Sequence, residues 1–133
     1  MKNKSLHDSI KDRRTYYQLS NQSPISDAEI QKIIEHVAYW APSPFNSQSA
    51  RMVLLLGENH KKLWELTKVE LKKISKSEEA WKQTEAKVDG SFLAGYGTVL
   101  FFEDMSVVKG LQDKFPSYTE KFAQWSEHST AIN

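Results

Sequence analysis

The 133-residue chain contains no cysteine, which excludes disulfide cross-links, thiolate-bound metal and thiol nucleophiles. Long apolar runs are also missing. The longest, Met52 to Leu56 and Val99 to Phe102, fall far short of the roughly 20 residues that span a bilayer. Lys2 and Lys4 near the N-terminus are not followed by the apolar core of a signal peptide. No charge sign dominates: 18 basic residues face 17 acidic ones. That balance gives no strong sequence-independent attraction to nucleic acid or anionic lipid. A soluble, cytoplasmic protein with neither a nucleic-acid nor a membrane partner is expected.

Apolar residues make up 39% of the chain and the mean hydropathy is -0.60. Either the surface is very polar or part of the core is supplied from elsewhere. The length fits one compact domain, taken as residues 1–133. Glycine and proline are few, five and four, so each can be read as punctuation.

Ser26 and Glu29 have the spacing of a capping box, and Ile30, Ile33, Ile34, Val37 and Ala38 follow on one helical face. Pro42 and Pro44 stop that helix, because proline disfavours helical geometry in the residue before it. An earlier helix is expected over about Ser5 to Arg14, with Leu6 and Ile10 as a sparse stripe. Arg51 to Leu56 reads as a buried strand ended by Gly57. Helices are expected over Lys61 to Ser75, with Leu63, Trp64, Thr67, Leu71 and Ile74 inward, and over Ser77 to Val88. Thr98 to Phe102 reads as a second buried strand after a loop bearing Gly90, Gly95 and Gly97. Ser117 and Glu120 repeat the capping-box spacing and open a helix through Phe122, Ala123, Trp125 and Ser129. That helix reaches Asn133 without a stop signal, so the chain is expected to be truncated or completed by a partner. The fold class is α+β: helices packed around a central mixed or antiparallel sheet, incomplete at the C-terminus, with two strands from this chain.

Two segments could carry chemistry. Arg13-Arg14-Thr15 closes the first helix, and two guanidiniums beside a hydroxyl suit a phosphate. A basic helix end stabilised by the helix dipole explains the same residues. Pro42-Ser43-Pro44-Phe45-Asn46-Ser47-Gln48 lies between a long helix and a strand. Its amides offer both donors and acceptors to a heteroaromatic ring edge, although such loops are often only turns.

Together these two segments resemble the nitroreductase family of flavoenzymes. The shared pattern is an Arg-Arg-Ser/Thr segment on the first helix followed by a Pro-Ser-x-x-Asn-Ser-Gln loop. The stretches Asp89 to Phe92, Ala94 to Asp104 and Phe122 to Ser129 resemble a bacterial and fungal branch of that family. The resemblance covers nearly the whole chain and stops where family members continue. It implies FMN as cofactor, with Arg13 and Thr15 on its phosphate and ribityl and Arg14 close by. Ser43, Asn46 and Gln48 would approach the flavin, partly from the opposite subunit of a homodimer, and Lys87 would lie on the isoalloxazine side. Tyr17 stands where many relatives carry a basic residue. The activity implied is electron transfer from NAD(P)H to a small electron-poor acceptor, a nitroaromatic or a quinone, in ping-pong order. A flavin-binding module without turnover, or an inactive fragment, is the alternative. No catalytic acid or base stands out, and the flavin carries the chemistry in such enzymes.

Other constellations are weaker. Glu127-His128-Ser129 cannot converge as a triad, since consecutive helical residues point away from one another. His7, His36, His60 and His128 lack metal-ligand spacing and read as surface histidines, so no metal is expected. Gly90, Gly95 and Gly97 precede a strand, the wrong context for a dinucleotide fingerprint. Trp64, Trp81 and Trp125 read as core. The last helix, with Phe122, Trp125 and Ile132, needs a surface to bury against, which is the residue-level reason to expect a dimer.

Overall fold

A computed structural model describes residues 4–118 together with 120, 121 and 125. Helix α1, Leu6–Asp12, is opened by the Ser5 hydroxyl, which accepts from the Asp8 amide. It buries nothing: Leu6 and Ile10 face solvent. Helix α2, Asp27–Trp40, carries both halves of the capping box. The Glu29 amide donates to the Ser26 hydroxyl at 3.3 Å, and the Ser26 amide donates to the Glu29 carboxylate at 2.9 Å. Ile30, Ile34 and Val37 are half-buried, whereas Ile33 and Ala38 are exposed. The buried stripe is therefore narrower than the apolar one. The helix stops at Ala41, which is already extended ahead of Pro42.

Strands β1, Ala50–Leu56, and β2, Gly97–Glu103, pair antiparallel, with Ala50 opposite Glu103 and Leu56 opposite Gly97. Both begin one residue before their expected limits. Neither is buried throughout: Val53, Phe101 and Phe102 are exposed. A continuous apolar run expects cover on both faces, and a two-stranded ribbon does not receive it.

Gly57, at φ +52, swings the chain directly from β1 into helix α3, Gly57–Ile74. The helix thus starts four residues ahead of Lys61. Leu63, Trp64, Thr67 and Leu71 are half-buried as expected, but Ile74 is exposed. Helix α4, Glu78–Val88, is capped by the Ser77 hydroxyl and buries Trp81 and Val88. It runs on into one π-helical turn, Asp89–Leu93.

A stripe at every fourth residue of α3 holds that turn. Lys68 pairs with Asp89 at 2.9 Å, Trp64 stacks on Phe92 with centroids 4.8 Å apart, and His60 reaches the Leu93 carbonyl at 3.1 Å. Asp89, and then Glu65, hold the Lys68 ammonium above its ordinary pKa through their hydrogen bonds.

Helix α5, Met105–Lys114, follows β2 and buries Val108 completely. Its cap is Asp104, whose carboxylate accepts from the Ser106 amide. This helix is not among those expected from the sequence. A short 3-10 turn, Pro116–Tyr118, comes next and contains Ser117, so the expected cap lies inside a turn. Glu120, Lys121 and Trp125 are helical. Phe122, Ala123, Gln124, the Glu127-His128-Ser129 trio and Ile132 lie outside the described residues.

The only large hydrophobic side chains buried among the described residues are Trp81, Val88 and Val108. The chain exposes 10499 Å², whereas a compact protein of 15.3 kDa exposes about 7100 Å². Much apolar surface is left uncovered. No described helix is long and apolar enough to cross a membrane.

Candidate functional site

The loop from α2 to β1 is built by its own polar groups. Pro44–Asn46 forms a 3-10 turn in which the Asn46 amide donates to the Ser43 carbonyl at 3.0 Å. The Ser47 amide donates to the Pro44 carbonyl at 3.1 Å. The Gln48 amide donates to the Ser43 hydroxyl at 3.0 Å, and the Gln48 side-chain amide to the Asn46 side-chain oxygen at 3.2 Å. The Ser47 and Ser49 hydroxyls lie 3.2 Å apart, and Ser49 is buried.

Phe45, Asn46 and Gln48 have φ of 54°, 52° and 51°. Left-handed backbone is tolerated by asparagine, but costs on the order of 1–3 kcal/mol at other non-glycine residues. The hydrogen bonds just named hold the loop in that shape. Under it lies a cavity of about 480 Å³ lined by, among others, Tyr39, Ser43, Asn46, Gln48, Met52 and Glu103.

The loop is anchored to the sheet by a pair that the sequence reading gives no role. Arg51 donates to the carbonyls of Gln48 and Ala50, both at 2.9 Å, and its other nitrogen meets Asp104 at 2.9 Å. The Asp104 amide donates to the Ser49 carbonyl at 2.9 Å. The Ser106 hydroxyl and amide, with a smaller contribution from Arg51, keep the Asp104 carboxyl below its ordinary pKa. Asp104 is thus ionised at neutral pH and joins the loop base to the start of α5. The signal for this pair is slight: one arginine at a strand start and one aspartate before a helix.

The sequence matches the Nitroreductase family over residues 10–133. The chain belongs to the nitroreductase family. It is 34% identical over 120 residues to a Saccharomyces cerevisiae protein named as a nitroreductase, HBN1, covering 89% of this chain and 58% of that one. Among solved structures it resembles the nitroreductase CinD from Lactococcus lactis in complex with nicotinic acid. The TM-score is 0.77 at 35% identity, over 96% of this chain and 63% of that one. A nitroreductase-like protein from Exiguobacterium sibiricum in complex with FMN shares the fold at 22% identity and a TM-score of 0.50. It aligns with 91% of this chain and 49% of its own. This chain therefore spans about three-fifths of the length of HBN1 and CinD.

In this nitroreductase-family chain, Ser43, Asn46 and Gln48 converge on one cavity. Arg13, Arg14 and Thr15 do not line it; they follow α1 in an exposed stretch. Arg14 donates to the carbonyls of Lys11 at 2.8 Å and Arg13 at 2.7 Å, so it serves the end of its own helix. Arg13 and Thr15 make no side-chain hydrogen bond among the described residues. Lys87, in the last turn of α4, is exposed and also outside the cavity.

A larger cavity, about 1300 Å³, opens at the far end of β1 between α3, the segment Leu19–Asn21 and the turn before β2. No expected site residue lines it. His60 does, and His60 is 3% exposed, which corrects its reading as a surface histidine. Nε2 faces the Leu93 carbonyl, an acceptor only, so Nε2 carries the proton. Nδ1 then accepts from the Thr98 hydroxyl at 2.9 Å, and Thr98 accepts from the Trp64 indole N–H at 3.0 Å. At the rim, the Tyr96 hydroxyl donates to Asp27, which raises the tyrosine pKa. His7 and His36 are exposed as expected.

Proposed function

We propose that this chain forms the FMN-binding part of an oxidoreductase that moves electrons from NAD(P)H to a nitroaromatic or quinone-type acceptor. Family membership supports the reaction class. The observation carrying the site is the Ser43–Gln48 loop, where three polar side chains are fixed around one cavity by hydrogen bonds within the loop.

The residues present suit FMN. Amides and hydroxyls fixed beforehand lose little freedom when they read a ring edge. The Arg13 guanidinium, exposed and uncommitted among the described residues, is suited to a phosphate. The Thr15 hydroxyl next to it suits the ribityl chain, and Arg14 adds positive charge from its position at the helix end. Lys87, exposed in the last turn of α4, would supply an ammonium on the isoalloxazine side. When bound, FMN would supply the two-electron relay between donor and acceptor, in ping-pong order. The protein's contribution is to bind and orient both partners at one face and to exclude water. A homodimer in the cytoplasm is the proposed working form, with a second subunit contributing part of the site.

A second reading has its own support. The uncovered apolar surface favours a chain that holds flavin without turnover, or holds none, until another surface completes it. The visible spectrum after adding FMN and desalting decides between them. Retained flavin bands together with NAD(P)H oxidation support the enzyme, and flavin bands without oxidation support a binding module. A colourless protein overturns flavin binding by this chain.

A further inference from the structure

Side chains alternate between the two faces of a strand, and β1 uses that alternation at the loop base. Ala50 and Met52 line the cavity beneath the Ser43–Gln48 loop, whereas Arg51 between them does not, and neither does Asp104. A ligand in that cavity would touch neither charged group directly. Both act on a residue that it does touch.

That residue is Gln48. Its backbone is left-handed, φ 51°, a shape that glutamine keeps only where its surroundings fix it. Two bonds come from within the loop: its amide donates to the Ser43 hydroxyl at 3.0 Å and its side chain to Asn46 at 3.2 Å. A further one comes from β1, where one Arg51 nitrogen donates to the carbonyls of Gln48 and Ala50, each at 2.9 Å. The other Arg51 nitrogen is held by Asp104 Oδ2 at 2.9 Å. Asp104 gives its second oxygen a different task. Oδ1 accepts from the Ser106 amide at 3.1 Å and the Ser106 hydroxyl at 2.6 Å, which caps α5. One carboxylate thus ties the start of α5 to Gln48 through Arg51. The far end of α5 meets the loop again, since the ring of its C-cap Phe115 lies 5.4 Å from that of Phe45.

We propose that Asp104 is a positioning residue for the flavin ring: through Arg51 it fixes the Gln48 backbone, and with it the Asn46–Gln48 amide pair that faces the ring. The inference rests on the flavin reading above and deepens it, because it makes α5 a splint for the ring-binding side of the site. The Arg51 and Asp104 side chains are 52% and 32% exposed, and an ion pair so open to water contributes little to global stability. Its effect is on loop shape. Binding and stability should therefore respond differently when the pair is broken, which a merely structural role would not produce.

The test compares the full chain with Asp104→Ser, Arg51→Met, the double variant and Asp104→Ala. Serine caps a helix about as well as aspartate but is too short to reach Arg51, so it separates the two tasks of the carboxylate. Asp104→Ser should keep a urea midpoint near that of the parent, whereas Asp104→Ala, which also loses the cap, should show a lower one. Hydrogen exchange of the Gln48 amide, read by NMR without FMN, should be faster in Asp104→Ser and Arg51→Met. The FMN dissociation constant should rise about threefold to tenfold in each, the range of one charge-assisted bond discounted for exposure. The double variant should be no worse than the weaker single one, since the two residues act in series. Equal Gln48 exchange in all five proteins overturns the positioning role even where flavin bands are retained. So does a loss of FMN affinity that follows the urea midpoint from variant to variant. A parent that retains no FMN overturns the cofactor reading, and Gln48 exchange then still decides whether Asp104 holds the loop.

Discussion

Replacing Thr98 with valine tests whether the His60 network holds the fold, because the exchange keeps the side-chain shape and removes one hydroxyl. That hydroxyl makes two bonds: it donates to His60 Nδ1 at 2.9 Å and accepts from Trp64 Nε1 at 3.0 Å. His60 is 3% exposed, so water does not replace the lost donor, and an unsatisfied buried acceptor costs about 1–3 kcal/mol. Trp64 is half-buried, and water recovers part of its bond, leaving a further loss of about 0.5–1 kcal/mol. The expected destabilisation is about 2–4 kcal/mol, which lowers a urea midpoint by about 1–2 M. Thr98→Ser keeps the hydroxyl and loses one methyl, about 0.8 kcal/mol. The assay is equilibrium urea unfolding of both variants, followed by tryptophan fluorescence. Equal midpoints for the serine and valine proteins would refute the network. Nitrogen chemical shifts provide an independent check, since the geometry requires the proton on Nε2 of His60.

Three further outcomes are expected. The Ser26 amide, and then its hydroxyl, hold the Glu29 carboxyl below its ordinary value of 4.5. A depressed folded pKa means that this contribution to stability is present above about 4.5 and is lost as pH falls through the folded value. The acid limb of stability against pH should therefore flatten in Glu29→Gln, and an unchanged limb would count against the capping box. A Cβ on Gly97 would lie 2.9 Å from the Leu55 carbonyl oxygen, whereas one on Gly110 meets nothing within 4 Å. Gly97→Ala should thus cost about 1–3 kcal/mol, and Gly110→Ala, inside α5, should gain about 0.5–1 kcal/mol, both read by thermal unfolding. For FMN affinity, Arg13→Ala should weaken binding by at most about tenfold to a hundredfold, the range of one charge-assisted hydrogen bond before the cost of ordering its segment. Arg14→Ala should do less, because Arg14 is already committed to two carbonyls; a flavin fluorescence titration compares them.

The sequence was most legible where one residue type performs one local task. Ser5, Ser26 and Ser77 each cap a helix, and hydroxyls at those positions meet orphan amides whatever surrounds the helix. Burial was less legible. Periodicity shows which residues share a face, but not whether anything covers it, and so Ile33, Ile74 and Phe101 read as core yet lie exposed. Helix α5 escaped because Gly110 interrupts its interior and its apolar stripe is short. His60 escaped for another reason. Its stripe partners on α3 are Trp64 and Lys68, a set with no apolar pattern, and the turn they hold is π-helical, a shape without a sequence signature. In the site, the loop amides were legible as a group, whereas Arg51 and Asp104 are 53 residues apart and meet only because β1 pairs with β2.

The same separation bears on how the proposed site would work. The loop amides are rigid, fixed to one another and to the sheet through Arg51, so the ring-binding side needs little ordering. Arg13 belongs to a segment that buries nothing, with α1 exposed along its whole length. Drawing Arg13 onto a phosphate would require fixing that segment, at about 1–2 kcal/mol per ordered residue. One charge-assisted bond offsets only one or two residues of that cost. A surface packing against Leu6 and Ile10 would order the segment in advance and leave the Arg13 interaction for binding. On this argument, FMN affinity should be governed less by the loop than by what covers α1.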